Sequence, residues 1–247
     1  MKNRLTFKIM VQSALILCIL STRVYATELF PFGDLSALGE SSDSVNIIIL
    51  LTLLTLLPSI LIMMTGFTRI IIVLSFIRNA IGLQQMPPNQ VLVGLALFLT
   101  FFVMSPVIGE INDTAYKPYV EETITQQEAI KNAEKPIREF MLKQTYGKDL
   151  NLFLELAHES EPETFDEIKT SIIIPAFITS ELKRAFQMGL FILIPFIVID
   201  MVVSSTLMSM GMMMLPPTMI SLPFKILLFV LVDGWGLTIK ALITSFS

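Results

Sequence analysis

A single cysteine and a single histidine in 247 residues leave little room for thiol or metal chemistry. Cys18 falls in the extreme N-terminal segment, so a chain that has lost that segment carries no thiol for a disulfide, a metal site or nucleophilic attack. His158 stands in the polar acidic stretch LAHESEPE, the setting of a solvated surface imidazole and not of a ligand or general base. Charge is scarce too: 15% of residues are charged against 53% hydrophobic, and the mean hydropathy is strongly positive, which places the chain with membrane proteins. The net charge of -4 has the wrong sign for nucleic acid. No metal-ligand spacing, nucleophile elbow or glycine-rich phosphate loop is present. The sequence therefore predicts neither an enzyme nor a bound cofactor, and any energy for work must come from partners.

What is there divides into five stretches. Residues 1–26 have the pattern of a secretory signal peptide: Lys2, Arg4 and Lys8, an apolar run from Ile9 to Leu20, and the small-x-small site Val24-Tyr25-Ala26. Residues 27–44 form a polar leader. Residues 45–109 form a first apolar helical hairpin. Its first limb, Val45 to Thr68, is uncharged, and ~24 helical residues at ~1.5 Å each exceed a ~30 Å hydrocarbon core. Pro58 is expected to kink it. Arg69 and Arg78 bracket a short apolar run ahead of the turn Asn79–Gln90, and the positive-inside rule makes this loop cytoplasmic. Val91–Ile108 returns.

Residues 110–170 change character. From Glu110 to Lys169 there are fourteen of the twenty-one acids against seven Lys and Arg. Apolar residues recur at helical intervals in Ile137, Phe140, Met141 and in Leu150, Phe153, Leu154, Leu156, so two or three amphipathic helices are expected on the extracytoplasmic side. Residues 171–247 form a second apolar hairpin with a methionine-rich tip. The fold class is thus all-α and membrane-associated, built of kinked helical hairpins with an extracytoplasmic helical domain.

Two features of the second hairpin carry chemistry. Glu181, Lys183 and Arg184 interrupt its first limb; ionisable groups at membrane depth face a protein interior or a cavity, whereas at a helix end they simply meet water. Glu181 and Arg184 share a helix face and can pair within the helix. Pro175 and Pro195 argue against a straight span. The tip, SSTLMSMGMMMLPP, holds Met208, Met210, Met212, Met213 and Met214. Soft, unbranched thioethers serve as core filler or as a seal that re-packs around a passing guest. Gly211 and Pro216-Pro217 predict a bent segment there. A turn centred on Met212-Met213 puts Asp200 and Lys225 at equal distance from it, which predicts an ion pair across the hairpin. Without further information a small-solute transporter or ion channel using Asp200, Glu181 and Lys225 as a charge relay is an alternative.

Five blocks in order resemble one family. They are FTRIIIVLSFIRNAIG (Phe67 to Gly82), PPNQVLVGLALFLTFFVMSPV (Pro87 to Val107), PAFITSELKRAFQMGL (Pro175 to Leu190), PFIVIDMVVSSTLMSMGMMMLPP (Pro195 to Pro217) and LPFKILLFVLVDGW (Leu222 to Trp235). The chain resembles the FliP family of bacterial flagellar export-gate proteins and their injectisome counterparts. The resemblance implies a ring of five subunits, assembled with FliQ-like and FliR-like subunits and other export-apparatus membrane proteins. Such a gate passes unfolded protein substrates at the flagellar basal body in the bacterial inner membrane, in contact with lipid. Much of it sits above the plane where hydropathy places ordinary spanning helices. The family's gasket corresponds to Met208, Met210, Met212, Met213 and Met214. Its carboxylate corresponds to Glu181, with Lys183 and Arg184 as inter-subunit partners. In the acidic region, which the blocks do not cover, Phe140 and Phe153 either line a passage or, the commoner fate of a phenylalanine, pack in a core. The signal peptide and the leader favour the flagellar member over the injectisome one.

Overall fold

The computed structural model describes residues 51–246 except 53, 57, 61, 84, 85, 160–163, 213 and 214. The expected signal peptide, the leader and the start of the first limb lie outside the described residues, as do Met213 and Met214. The chain divides between Thr55 and Leu56 into two units, and the second, Leu56–Ser247, holds the helical core. Among the described residues there is no strand. Helix α1 is Phe67–Ile81, α2 is Asn89–Ile111, and a π-helical turn at Asn112–Tyr116 leads into the short α3, Lys117–Val120. Helices α4, Gln126–Gln144, and α5, Gly147–Leu156, form the acidic region. Then come α6, Thr170–Ser209, α7, Pro217–Leu231, and α8, Gly234–Thr244.

Helix α1 is the centre of the fold. Ile70, Val73, Leu74, Ile77, Ala80 and Ile81 repeat at helical spacing and are all at most 3% exposed. They pack against α6 above all, and also against α2 and α7. Leu92, Ala96, Thr100 and Met104 supply a stripe of every fourth residue from α2, while Phe98, Phe101 and Phe102 stay exposed on its other faces. Arg69, read from the sequence as bordering a loop, lies within α1 with its side chain fully buried.

The acidic region begins with a cap that the sequence spells out. Thr125 Oγ1 accepts from the Glu128 N–H, and the Glu128 carboxylate accepts from the Thr125 N–H, which satisfies two otherwise orphaned donors at the start of α4. Met141, Leu150 and Leu154 from α4 and α5 close a second core with Ile168, Ile172, Ile173, Ala176 and Phe177. The first turns of α6 therefore complete the core of the acidic helices. Pro175 and Pro195 lie inside α6, which is assigned as one helix of 40 residues and extends for about 60 Å at ~1.5 Å per residue.

By length and composition, α6 and the stretch Asn89–Val120 are able to cross a membrane. Helices α7 and α8 make a third such element if taken together across their 63° bend.

The α1–α6 seam is close. A Cβ on Gly189 would lie 2.5 Å from ring atoms of Phe76, so the side chain is missing where the two helices meet. Gly189→Ala should cost about 1–3 kcal/mol, the scale of overpacking, read from unfolding in detergent. Phe76→Leu in that background should return part of it; an unchanged midpoint in Gly189→Ala would show the seam to be looser than these distances.

Candidate functional site

Arg69 makes a full set of five hydrogen bonds without water. Its Nε donates to Glu181 Oε2 at 2.9 Å and its Nη2 to Glu181 Oε1 and to Gln144 Oε1, the latter at 3.0 Å. Nη1 donates to the carbonyl and to Oγ of Ser245, each at 2.8 Å. The guanidinium has five N–H groups, so none is left over. Glu181 is fully buried opposite it, and the fork-to-fork geometry is the strong form of this pair.

The residues following Glu181 reach other helices. Lys183 pairs with Asp149 of α5. Arg184 donates to Gln144 Oε1 and lies 4.6 Å over the Tyr146 ring. Glu181 therefore pairs across helices with Arg69, and the helix-internal partnership with Arg184 is not formed. Ser180 adds one more tie, donating to Asp149 Oδ2 at 2.8 Å and accepting from the Tyr146 N–H at 3.0 Å. Ser180, Glu181, Lys183 and Arg184 of α6 thus join α1, α4 and α5. Burial pushes the Asp149 carboxyl up, but the bonds from Lys183 and Ser180 outweigh it and hold the group below the usual carboxylate range.

Nearer the tip, Lys225 Nζ of α7 donates to Asp200 Oδ2 of α6 at 2.6 Å, and Ser221 Oγ donates to Oδ1 at 2.5 Å. Lys225 is 6% exposed and Ser221 fully buried. Beyond this brace α6 ends in a Schellman motif: the Met212 N–H reaches Leu207 O and the Gly211 N–H reaches Met208 O, both at 3.0 Å. Gly211 adopts φ 75°, which a side chain disfavours. Pro217 then starts α7 at a position where its missing N–H costs nothing. Met208 stands in the last helical turn and Met210 caps it, so the bend begins later than expected. Met208, Met210 and Met212 are all exposed.

Phe140 and Phe153 are half-buried and pack on the lower core, and Phe140 also meets Phe177 and Phe246. Both rings contribute to packing within the chain. Sequence reasoning missed Arg69, Gln144, Asp149, Ser180, Ser221 and Phe246. Arg69 carried a signal: it stands in line with Val73 and Ile77 at four-residue spacing, on the apolar face of its helix.

Comparison with known proteins now decides the relationship. A family model described as the FliP family matches residues 50–242. The chain belongs to the FliP family. It is 58% identical over 205 residues to the flagellar biosynthetic protein FliP of Bacillus subtilis (strain 168), covering 83% of this chain and 93% of that one. The FliP of Pectobacterium carotovorum subsp. carotovorum is 56% identical over 203 residues, 82% of this chain and 79% of its own. That of Aquifex aeolicus (strain VF5) is 46% identical over 237 residues, 95% and 99% of the two chains.

Removing one partner of a buried ion pair leaves an uncompensated charge, so Glu181→Ala should cost about 3–5 kcal/mol in this FliP-family chain. Lys183→Ala removes a half-exposed cation and leaves the buried Asp149 carboxylate with its bond from Ser180, so it should cost less than that. Comparable losses in chemical unfolding would contradict the division of roles. A second expectation concerns acid. The folded Asp149 carboxyl titrates below its unfolded value of about 3.9, so its stabilisation is complete above that value and is lost as pH falls through the folded one. Asp149→Asn should flatten the stability profile below about pH 4, whereas parallel profiles would assign the acid limb to other carboxylates.

Proposed function

We propose that the chain is a non-enzymatic subunit of the flagellar type III protein-export gate. Five copies form a ring with FliQ-like and FliR-like subunits in the inner membrane, with the acidic helices on the extracytoplasmic side. Unfolded flagellar proteins pass through its centre. The flagellar names of the relatives support the flagellar over the injectisome assignment. One observation carries the mechanism: Met208, Met210 and Met212 project exposed from the end of a hairpin that the Asp200–Lys225–Ser221 bonds hold closed. Repeated around a ring, with Met213 and Met214, such tips make a gasket.

The physics of the seal follows from the residue type. Thioether side chains have three flexible bonds and high polarizability, so they close on themselves when the passage is empty and re-pack around a polypeptide of any sequence. A dry apolar constriction also holds back ions. Asp200, Glu181 and Lys225 each stand in an ion pair, which supports a bracing role over a charge relay. Glu181, Lys183 and Arg184 hold the subunit's own helices in place first, and a ring contact would use what remains exposed of Lys183.

Exchanging Met208, Met210 and Met212 together for alanine should raise ion leakage through the assembled gate while leaving assembly intact. Unchanged leakage in a correctly assembled complex would sink the gasket. Asp200→Ala and Lys225→Ala should each impair assembly or secretion, and the charge swap Asp200→Lys with Lys225→Asp should recover part of it; a swap as defective as the single variants would count against the brace.

A further inference from the structure

Phe246 occupies a socket that neither the ion pairs nor the methionine tip requires. Its ring lies under the Arg69 guanidinium, with Cζ 3.8 Å from the ring centroid, and stacks on Phe140 at 6.3 Å with 21° between the planes. A Cβ on Gly66 would come within 2.6 Å of the same ring, so the residue ahead of α1 leaves open the space that the ring fills. The backbone here is held as firmly as the side chain. Ser245 offers its carbonyl and Oγ to Arg69, and the Phe246 carbonyl accepts from Gln144 Nε2 at 2.9 Å.

The helix that leads to this socket is otherwise thinly attached. Only Gly234, Thr238 and Leu242 of α8 are buried, a single stripe, while Trp235, Leu237 and Lys240 are exposed. It leaves α7 through a 63° bend at Asp233, whose φ of 50° is left-handed and whose carboxylate accepts from the Gly236 N–H at 3.4 Å. On its open side the socket borders a cleft of about 470 Å³ between α2 and α4, lined in part by Phe102, Val103, Phe140 and Ile243. The ring thus has room to leave without forcing the core apart.

We propose that the Ser245–Phe246 turn is a clasp: α8 is an arm hinged at Asp233 and fastened at its far end by the buried Arg69. Phe246 and Ser245 are positioning residues in this device, because they act through Arg69. While the clasp is shut, Arg69 has its full set of acceptors and Glu181 keeps its place. When it opens, α8 is released and Arg69 loses the two acceptors on Nη1 and the aromatic face. The device stands independently of the gate assignment, since it concerns contacts within one subunit.

Hydrogen exchange followed by mass spectrometry on the full chain in detergent tests it. Phe246→Leu keeps an apolar group and removes the cation–π contact, so α8 amides should exchange about threefold or more faster, with α5 unchanged. Gly66→Ala alters neither Phe246 nor Arg69, and at φ -68° the backbone accepts alanine, yet its Cβ expels the ring and should release α8 to the same degree. The double variant should loosen α8 no further than either single one, because both act on one contact. Truncation after Thr244 should raise α8 exchange most. Should the truncated chain fail to fold, the Leu and Ala variants decide. Exchange of α8 equal to the parent, a rise in α5 that keeps step with α8, or additive effects in the double variant would each overturn the clasp.

Discussion

Burying an arginine is tolerable only if every one of its N–H groups finds an acceptor, and that constraint organises this subunit. Arg69 is fully buried, and its five donors are satisfied by Glu181 of α6, Gln144 at the end of α4, and Ser245 beyond α8. The Born cost of leaving such a charge uncompensated amounts to several kcal/mol even after relaxation. Segments separated by more than a hundred residues are joined by a single side chain, and Gln144 links it onward to Arg184 and to the backbone of Phe246.

Helix α6 distributes the consequences. Its first turns lie in the core of the acidic helices, and its polar positions from Ser180 to Arg184 tie down three other helices. Its last third runs out to the Asp200–Lys225 brace and the methionine tip. Packing thins along the way: beyond Phe196 only Leu207 of α6 is buried. Local stability follows the density of buried contacts, so the tip is the part of the helix that re-packs most readily while the hub stays fixed. A soft tip on a rigid stem suits the seal proposed above.

The outward faces have the opposite character. Phe98, Phe101, Phe186, Phe191, Met201, Phe224 and Leu231 are exposed on α2, α6 and α7. At about 25 cal/mol per Å² of apolar surface, leaving so many large side chains in water is costly, so these faces belong against lipid or other subunits. The interior of the subunit is by contrast polar at its most critical points. The Arg69–Glu181 pair is buried among apolar side chains such as Phe177 and Phe246, while further aromatics face outward.

Much of this was legible in the residues alone. Helical periodicity, the concentration of acid between Glu110 and Lys169 and the breaks at Gly211 and Pro216-Pro217 are local properties, and short-range sterics and hydrogen bonding fix them whatever the rest of the chain does. The five motif blocks placed the chain in its family for the same reason, since they are read in sequence order. Hairpin symmetry was enough to pair Asp200 with Lys225, but only tertiary structure decided the partner of Glu181. Arg69 and Glu181 are 112 positions apart, and nothing in the sequence near either one names the other. A cation nearer in sequence, Arg184, was the competing partner for Glu181 but turns to Gln144 instead. Which side chain meets which depends on how whole helices pack, and that is settled by the summed burial of faces such as that of α1. The sequence by itself determined the helical character, the acidic segment and the chemistry at the tip; packing decided that residues Phe67–Ile81, read as the end of a limb and its loop, form the central helix with Arg69 buried in it.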